Sequence, residues 1–446
     1  MKYCLFVLLF CLVWTLSTVT SAQPTAPSLT EPAYLTDCIQ YALQNQPIVR
    51  QTLIDQEITD RNVRSALAAW YPQIGFSYNI QHFLRLPVTL IPDQATGERR
   101  PVQLGAKNTS AFSFSMTQNI FNRDLLLANR TADAYRAQAN QTTVSNKIDV
   151  VVNVSRAFYD LVLTQRQVEI LDQDINRLQR SLQDANNQYQ SGIVDKTDVQ
   201  RATIALNNTR AQLKQYRDLV GAKYQILKQL MGYPPNNPLA VTYDTLQVAS
   251  EVALDTSQLV NPQNRIEYQL LRTQGQLLDA NVRYNKQAYL PTVAANANYN
   301  FLYQNNVFPQ LYSQSFPNSL IALTLGVPIF QGGRRVQQIK IAELQVRRLQ
   351  WDLAALTSAV DAEYAQALAN YKGNLANYNA LRENLVLAQD VYRIISLQYR
   401  SGIKAYLDVI VAEADLRTAR LALYNALFQV LSSKLDVQRS LGTIQF

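Results

Sequence analysis

The sequence predicts a mainly α-helical, elongated chain with a smaller β-portion that crosses a membrane, built from two tandem halves. Three observations predict it. Short motifs recur in the same order in the two halves of the 446 residues. Apolar residues alternate at spacings of three and four over very long stretches, the seam of packed helices. Segments of about ten residues alternate apolar with uncharged polar side chains, as a strand with one lipid-facing side does.

The chain opens with Lys2, an apolar run from Leu5 to Val13, and small or hydroxyl residues ending at Thr20-Ser21-Ala22. This is the layout of a secretory signal peptide over 1–22, with cleavage expected after Ala22. An uncleaved anchor, the alternative, needs an apolar run nearer ~20 residues. Cys4 and Cys11 leave with that segment, so Cys38 is expected to be the one mature cysteine and no intrachain disulfide forms. No later apolar run is long enough for a membrane helix.

Self-comparison sets the domain plan. Gln188-Tyr189-Gln190-Ser191-Gly192-Ile193 recurs as Gln398-Tyr399-Arg400-Ser401-Gly402-Ile403, and Asp198-Val199 as Asp408-Val409. Trp70-Tyr71-Pro72 is matched by Tyr289-Leu290-Pro291, and Met231-Gly232 by Leu441-Gly442. The halves run over 34–232 and 263–446, joined by a segment, 233–262, that holds Pro234, Pro235, Pro238 and Pro262. Each half reads as a helix (34–69, then 264–289), two strands, a very long helix, a Gly break and a second long helix.

Val168, Leu171, Ile175, Leu178, Leu182, Ala185 and Tyr189 alternate by three and four, as do Val199, Ala202, Leu206, Thr209, Leu213, Tyr216 and Val220. The second half repeats this from Tyr378 to Tyr399 and from Val409 to Val430. Ser191-Gly192 and Ser401-Gly402 end one helix of each pair, because glycine takes the left-handed conformation of a helix end. The next helix turns back antiparallel. A helix from Phe121 to Gln190, or Gly333 to Arg400, is roughly 100 Å long at 1.5 Å per residue, so the chain is elongated.

The strands are expected at about 73–84, 109–120, 292–303 and 319–329. Ile74, Phe76, Tyr78 and Ile80 alternate with Gln73, Ser77, Asn79 and Gln81; Val293, Ala295, Ala297, Tyr299 and Phe301 alternate with Asn296, Asn298 and Asn300. Apolar toward lipid and polar toward a lumen is the pattern of a membrane barrel. A soluble half-buried sheet fits the alternation equally, and the export signal favours the membrane. Four strands cannot close a barrel, and an open edge in lipid costs several kcal/mol per unpaired backbone group. Other copies of the chain must complete it: two give about eight strands, three about twelve. The connections Leu86 to Asn108 and Leu302 to Asn318 read as outer loops, leaving the helices on the periplasmic side.

Other function classes find little support. A single histidine and three cysteines offer no acid–base, nucleophile or metal constellation. His82 and Cys38 read as structural, and Trp351 as helix packing. The net charge of +8 has no clustered basic run suited to nucleic acid.

The ordered motifs resemble the TolC family of outer-membrane efflux proteins: Trp70-Tyr71-Pro72 and Tyr289-Leu290-Pro291 before strands, Val327-Pro328-Ile329-Phe330-Gln331-Gly332-Gly333 after the last, and the paired Tyr-x-Ser-Gly-Ile breaks. The resemblance covers nearly the whole mature chain. It implies a homotrimer in the outer membrane of a Gram-negative bacterium, with a twelve-stranded barrel continued by an α-helical barrel in the periplasm. Its implied partners are a periplasmic adaptor (membrane fusion) protein and an inner-membrane pump of RND, ABC or MFS type. It implies a passive exit duct for efflux or type I secretion, not an enzyme, with no cofactor, metal or nucleic acid.

Carried over residue by residue, the resemblance places the periplasmic aperture just after each Gly break. Asp408 falls at the position of a lumen acid; a second family acid one turn later is here Val411. Lys404 falls where relatives place a base that ties neighbouring helices, with Thr197, Asp198 and Tyr399 as partners. Gly192, Ile193, Gly402 and Ile403 would form the tips that meet the adaptor. The plainer reading of Asp198 and Asp408 is that first-turn acids suit a helix dipole. A competing class, an exported coiled-coil scaffold or adhesin without a pore, predicts a chain that is water-soluble without detergent and forms no conductance.

Overall fold

The computed structural model describes residues 32–92, 98–243 and 251–446; the expected signal segment lies outside them. The elements are α1 (Leu35–Asn45), α2 (Pro47–Ala68), β1 (Gln73–His82), β2 (Val88–Pro92), β3 (Arg99–Gln103), β4 (Asn108–Phe121), α3 (Arg123–Gln190) and α4 (Lys196–Met231). The second half contributes α5 (Ile266–Lys286), β5 (Thr292–Asn305), β6 (Ser315–Gly326), α6 (Arg334–Arg400) and α7 (Tyr406–Leu441).

The helix expected over 34–69 is two helices. Pro47 starts α2, where its missing N–H costs nothing, and Gln46, at φ −62 and ψ 126, caps it by accepting from the Ile48 N–H at 2.5 Å. The long helices run unbroken because they hold no proline. α3 has 68 residues and α6 has 67, each about 100 Å of rod. α3 pairs with α4 and α6 with α7, and α3 also touches α7. The three-four seam lies between them: Leu171, Leu178, Ala185, Ala202, Leu206 and Leu213 are all buried. Trp351, expected to pack, is instead 73% exposed on α6.

β1, β4, β5 and β6 form one antiparallel sheet in the order β1-β4-β5-β6. The register Ile74↔Met116↔Ala297↔Ile321 and Phe76↔Phe114↔Tyr299 keeps apolar residues on one face. The other face aligns Gln73↔Thr117↔Asn296 and Ser77↔Ser113↔Asn300↔Asn318. Amide ladders tie it together: Thr117 to Asn296 at 3.2 Å, Asn296 to Thr324 at 3.0 Å and Asn300 to Asn318 at 2.9 Å. These strands contain no Asp, Glu, Lys or Arg. β1 and β6 are the edges. Tyr312 lies over one end of the apolar face, against Ser110, Phe112 and Tyr303; farther along it Ile74, Ile321 and Leu323 are 76%, 87% and 70% exposed.

Two expectations about the strands are corrected. β6 spans Ser315–Gly326, not 319–329. Pro317 sits inside it, tolerated because an edge strand has an unpaired side, and Pro328 ends any further pairing. The segment from Leu86 to Asn108, read as loop, holds the β2–β3 hairpin, with Val88 opposite Gln103; Pro92 and Pro101 disguised it.

The main core is a belt where α1, the middles of α3 and α6 and the ends of α4 and α7 meet. Cys38, Phe158, Leu161, Leu227, Met231, Tyr371 and Leu431 are buried there. The linker is strapped across it: Tyr371 donates to the Val252 carbonyl at 2.7 Å, and Lys228 Nζ reaches the carbonyls of Pro235 and Asn237 at 3.0 and 2.6 Å. Both halves close alike. Gly232 and Gly442, at φ +69 and +71, end α4 and α7 against the backbone of Asn45 and Asn264.

An added Cβ at Gly232 would lie 2.7 Å from the Asn45 carbonyl oxygen, whereas at Gly192 it would meet nothing. Gly232→Ala therefore lowers the unfolding temperature more than Gly192→Ala, whose cost is only the left-handed backbone, about 1–2 kcal/mol. On the sheet, Leu323→Arg puts a charge on the apolar face, at about 2–4 kcal/mol at mid-bilayer. It should abolish heat-resistant assembly in membranes, while Asn300→Arg on the polar face should not.

Candidate functional site

The ends of the long helices farthest from the sheet are two matching turns. α3 ends at Ser191, with Gly192 at φ +73; α6 ends at Ser401, with Gly402 at φ +75. In the first turn the N–H of Ile193 donates to the Gln188 carbonyl at 2.9 Å and that of Gly192 to the Tyr189 carbonyl at 3.0 Å. In the second, Ile403 reaches Gln398 and Gly402 reaches Tyr399, both at 2.9 Å. This 6→1 and 5→2 pair is the Schellman closure, whose following hydrophobe commonly folds back on the helix. Here it does not: Ile193 and Ile403 are each 72% exposed. Two rigid turns thus present two bare isoleucines.

Behind the turns a small core joins all four helices. Ala185 of α3, Ala202 of α4, and Tyr406 and Val409 of α7 are buried, with Tyr392 and Tyr399 of α6 packed against them. Tyr399 donates to Gln188 Oε1 at 2.5 Å and packs at a tilt of 48° against Tyr406, 5.5 Å between ring centroids. The Tyr406 hydroxyl lies 2.8 Å from Ser181 Oγ. Burial is the leading cause that lifts both phenols, Tyr406 to about 12, so both stay neutral hydrogen-bonding groups throughout the physiological range.

The residues singled out in the sequence all lie at this end. Asp408 is in the first turn of α7, where its backbone N–H caps onto the Ala405 carbonyl at 3.1 Å. Lys404 Nζ stands 3.8 Å from its carboxylate, both side chains about two-fifths exposed. So exposed a pair is weak and salt-screened. Asp198 faces Arg201 at 3.5 Å on its own helix, and Thr197 is exposed beside it. Within the chain Lys404 therefore meets Asp408 and not Thr197, Asp198 or Tyr399, and Tyr399 is taken by Gln188. Gln188, Ser181 and Tyr406 were missed. Tyr406 stands one place off the three-four spacing of the α7 seam, which runs back from Val409 to Ala405.

Among the described residues no group of three or more His, Cys, Asp or Glu could hold a metal ion, and no helix is long and apolar enough to cross a membrane. His82 is spent on Asn108, 2.6 Å from its Oδ1.

The family model described as outer membrane efflux protein matches residues 38–233 and again 263–443. The chain belongs to the outer membrane efflux protein family. It is 24% identical over 445 residues to the outer membrane protein TolC of Escherichia coli (strain K12), covering 94% of this chain and 84% of that one. It is 21% identical over 315 residues to the proteases secretion protein PrtF of Dickeya chrysanthemi, covering 69% and 67%. Among solved structures it superposes on the outer membrane protein VceC of Vibrio cholerae with a TM-score of 0.70, 16% identity and coverage of 92% and 96%.

For a member of this family the parts take their places. The sheet is the outer-membrane portion, the long helices form the periplasmic barrel, and the chain is an outer-membrane exit duct for efflux or secretion. TolC-like channels are trimeric and work with efflux or secretion systems.

The tip contacts make a direct test. Tyr406→Phe removes the bond to Ser181 at a cost of about 1 kcal/mol. Hydrogen exchange should rise over 178–190 and 402–412 and stay unchanged in the sheet.

Proposed function

We propose that this duct conducts passively, with its periplasmic mouth at the two tip turns and no chemistry of its own. The single observation behind this reading is the two-edged, uncharged sheet continuous with ~100 Å helices. Such a sheet has an apolar face with no covering layer, a polar face, and two edges that need partners in lipid. Three copies supply twelve strands and leave a polar lumen.

In this reading the duct opens when the mouth widens. Asp408 carries a carboxylate that its weak pairing with Lys404 leaves available to cations in the lumen. Across a closed trimer Lys404 can turn from Asp408 to a neighbouring protomer, with Thr197, Asp198 and Tyr399 framing the mouth. Gly192, Ile193, Gly402 and Ile403 meet a periplasmic adaptor, since bare isoleucines on rigid turns suit a protein contact more than water. An inner-membrane pump supplies the energy. Residues 1–22 direct export. The halves 34–232 and 263–446 are the duplicated units, joined by 233–262.

Conductance in planar bilayers tests the reading. Asp408→Ala should weaken block by multivalent cations, and Lys404→Ala should raise resting conductance. A protein that needs no detergent and never conducts would overturn the duct. Photoreactive residues beside Gly192 and Gly402 should capture an adaptor in cells; capture only from control positions on the sheet would remove the tips from that role.

A further inference from the structure

Both long helices open on an arginine at the foot of the sheet. Arg123 is the first residue of α3, which follows β4, and Arg334 is the first of α6, which follows β6. A cation in a first turn opposes the helix dipole, which favours acids there. Arg335 comes next, and α6 has no acid in its first turn. Arg123 and Arg334 nevertheless line one crevice of about 590 Å³, together with Thr292, Gly326, Gln331 and Gln338.

Arg335 builds the wall of this crevice. It is 7% exposed. Its Nη2 donates to the Pro328 carbonyl at 2.6 Å and its Nε to Gln331 Oε1 at 3.1 Å, and its guanidinium lies 4.8 Å from the centre of the Tyr289 ring. These partners fix the β6–α6 connection, but all are neutral. The Arg123 guanidinium lies over the Tyr284 ring at 4.4 Å. Asp124 beside it accepts instead from the Tyr284 hydroxyl at 2.7 Å. Among the described residues none of the three arginines has a carboxylate partner. A buried cation without a counter-ion is costly, so three cations gathered here favour an anion among them.

The crevice belongs to the polar face of the sheet. Asn296 stands opposite Ala322 on that face, and steps of two along both strands reach Ala294 with Thr324 and then Thr292 with Gly326. We propose that this crevice is an anion site in the wall of the duct, one per subunit, which takes phosphate or carboxylate groups passing between the helical barrel and the strand barrel. It rests on the duct reading above. The guanidinium forks of Arg123 and Arg334 match the oxygens of such groups. The Thr292 hydroxyl and the Gln338 amide supply neutral donors, and Gln331, whose Oε1 is held by Arg335, keeps its NH2 as a donor. Arg335 and the dipole of α6 add positive potential behind them. Repeated around a trimer, the crevices form one ring of like charge, and a low-dielectric wall focuses its field into the lumen.

The test is the conductance of the full-length protein in planar bilayers, with tripolyphosphate added on the side of the outer loops. Wild type should be blocked, and more strongly at low salt. The double variant Arg123→Gln, Arg334→Gln should still conduct but need about tenfold or more tripolyphosphate for half block, the scale of a lost charge-assisted contact. Its zero-current potential in a KCl gradient should shift toward cation preference. Should that variant not assemble, Gln338→Glu keeps all three arginines, sets a carboxylate in the crevice and should weaken the block likewise. A wild type that conducts without block, or a conducting variant blocked as strongly as wild type, overturns the anion site. Variants that keep the block but release phosphatidylglycerol retained by wild type would assign the crevice to a lipid headgroup, which also overturns a site in the lumen. A wild-type protein that never conducts overturns the duct reading instead.

Discussion

Backbone groups in hydrocarbon must be hydrogen-bonded, and a sheet of β1, β4, β5 and β6 leaves two rows of them open. Neither edge is blunted: β1 and β6 carry no charge, and β6 stays in register from Ser315 to Gly326 despite Pro317. The chain is therefore incomplete alone, and its exposed apolar face makes sense only in company and in lipid. In a family of trimeric channels, three such sheets complete one barrel. The seam logic continues downward. Each strand pair is flanked by helices, so a closed ring of strands is continued by a ring of helices.

The helices carry the second constraint, that rods of ~100 Å stay aligned. A belt core packs the linker across their middles, and mirrored Gly232 and Gly442 closures fix the ends of α4 and α7 against backbone. Below the belt the chain is thinner. The tip is held by Ala185, Ala202, Tyr406 and Val409 and a few polar contacts. The tip turns are thus backed by a much smaller core than the belt. The exposed Lys404–Asp408 pair fits that gradient, being too weakly held to lock anything by itself.

Much of this was legible in the residues. The recurrence of Tyr-x-Ser-Gly-Ile located both turns, because only a left-handed glycine ends a helix this way. The three-four spacing located the seams. Alternation located the sheet and its two faces. Proline misled in both directions: it hid β6's start and the β2–β3 hairpin, since strand edges excuse prolines that sequence reading takes for turns, and Pro47 broke a helix read as continuous. Trp351 misled because a large apolar side chain was assumed to be covered within its own chain.

By itself the sequence determined the periodicities: where helices run, where they stop, which strand face is apolar, and that the halves repeat. These are local properties, set by backbone sterics and side-chain spacing. Only the tertiary structure decided partnerships. It showed that Tyr399 bonds to Gln188, that Lys404 turns to Asp408, and that Arg123 and Arg334 line one crevice from two helices far apart in sequence. No spacing rule reveals such a convergence, because each arginine opens its own helix and nothing local ties one to the other. The order of the strands in the sheet, which sets which helix ends stand side by side, brings them together.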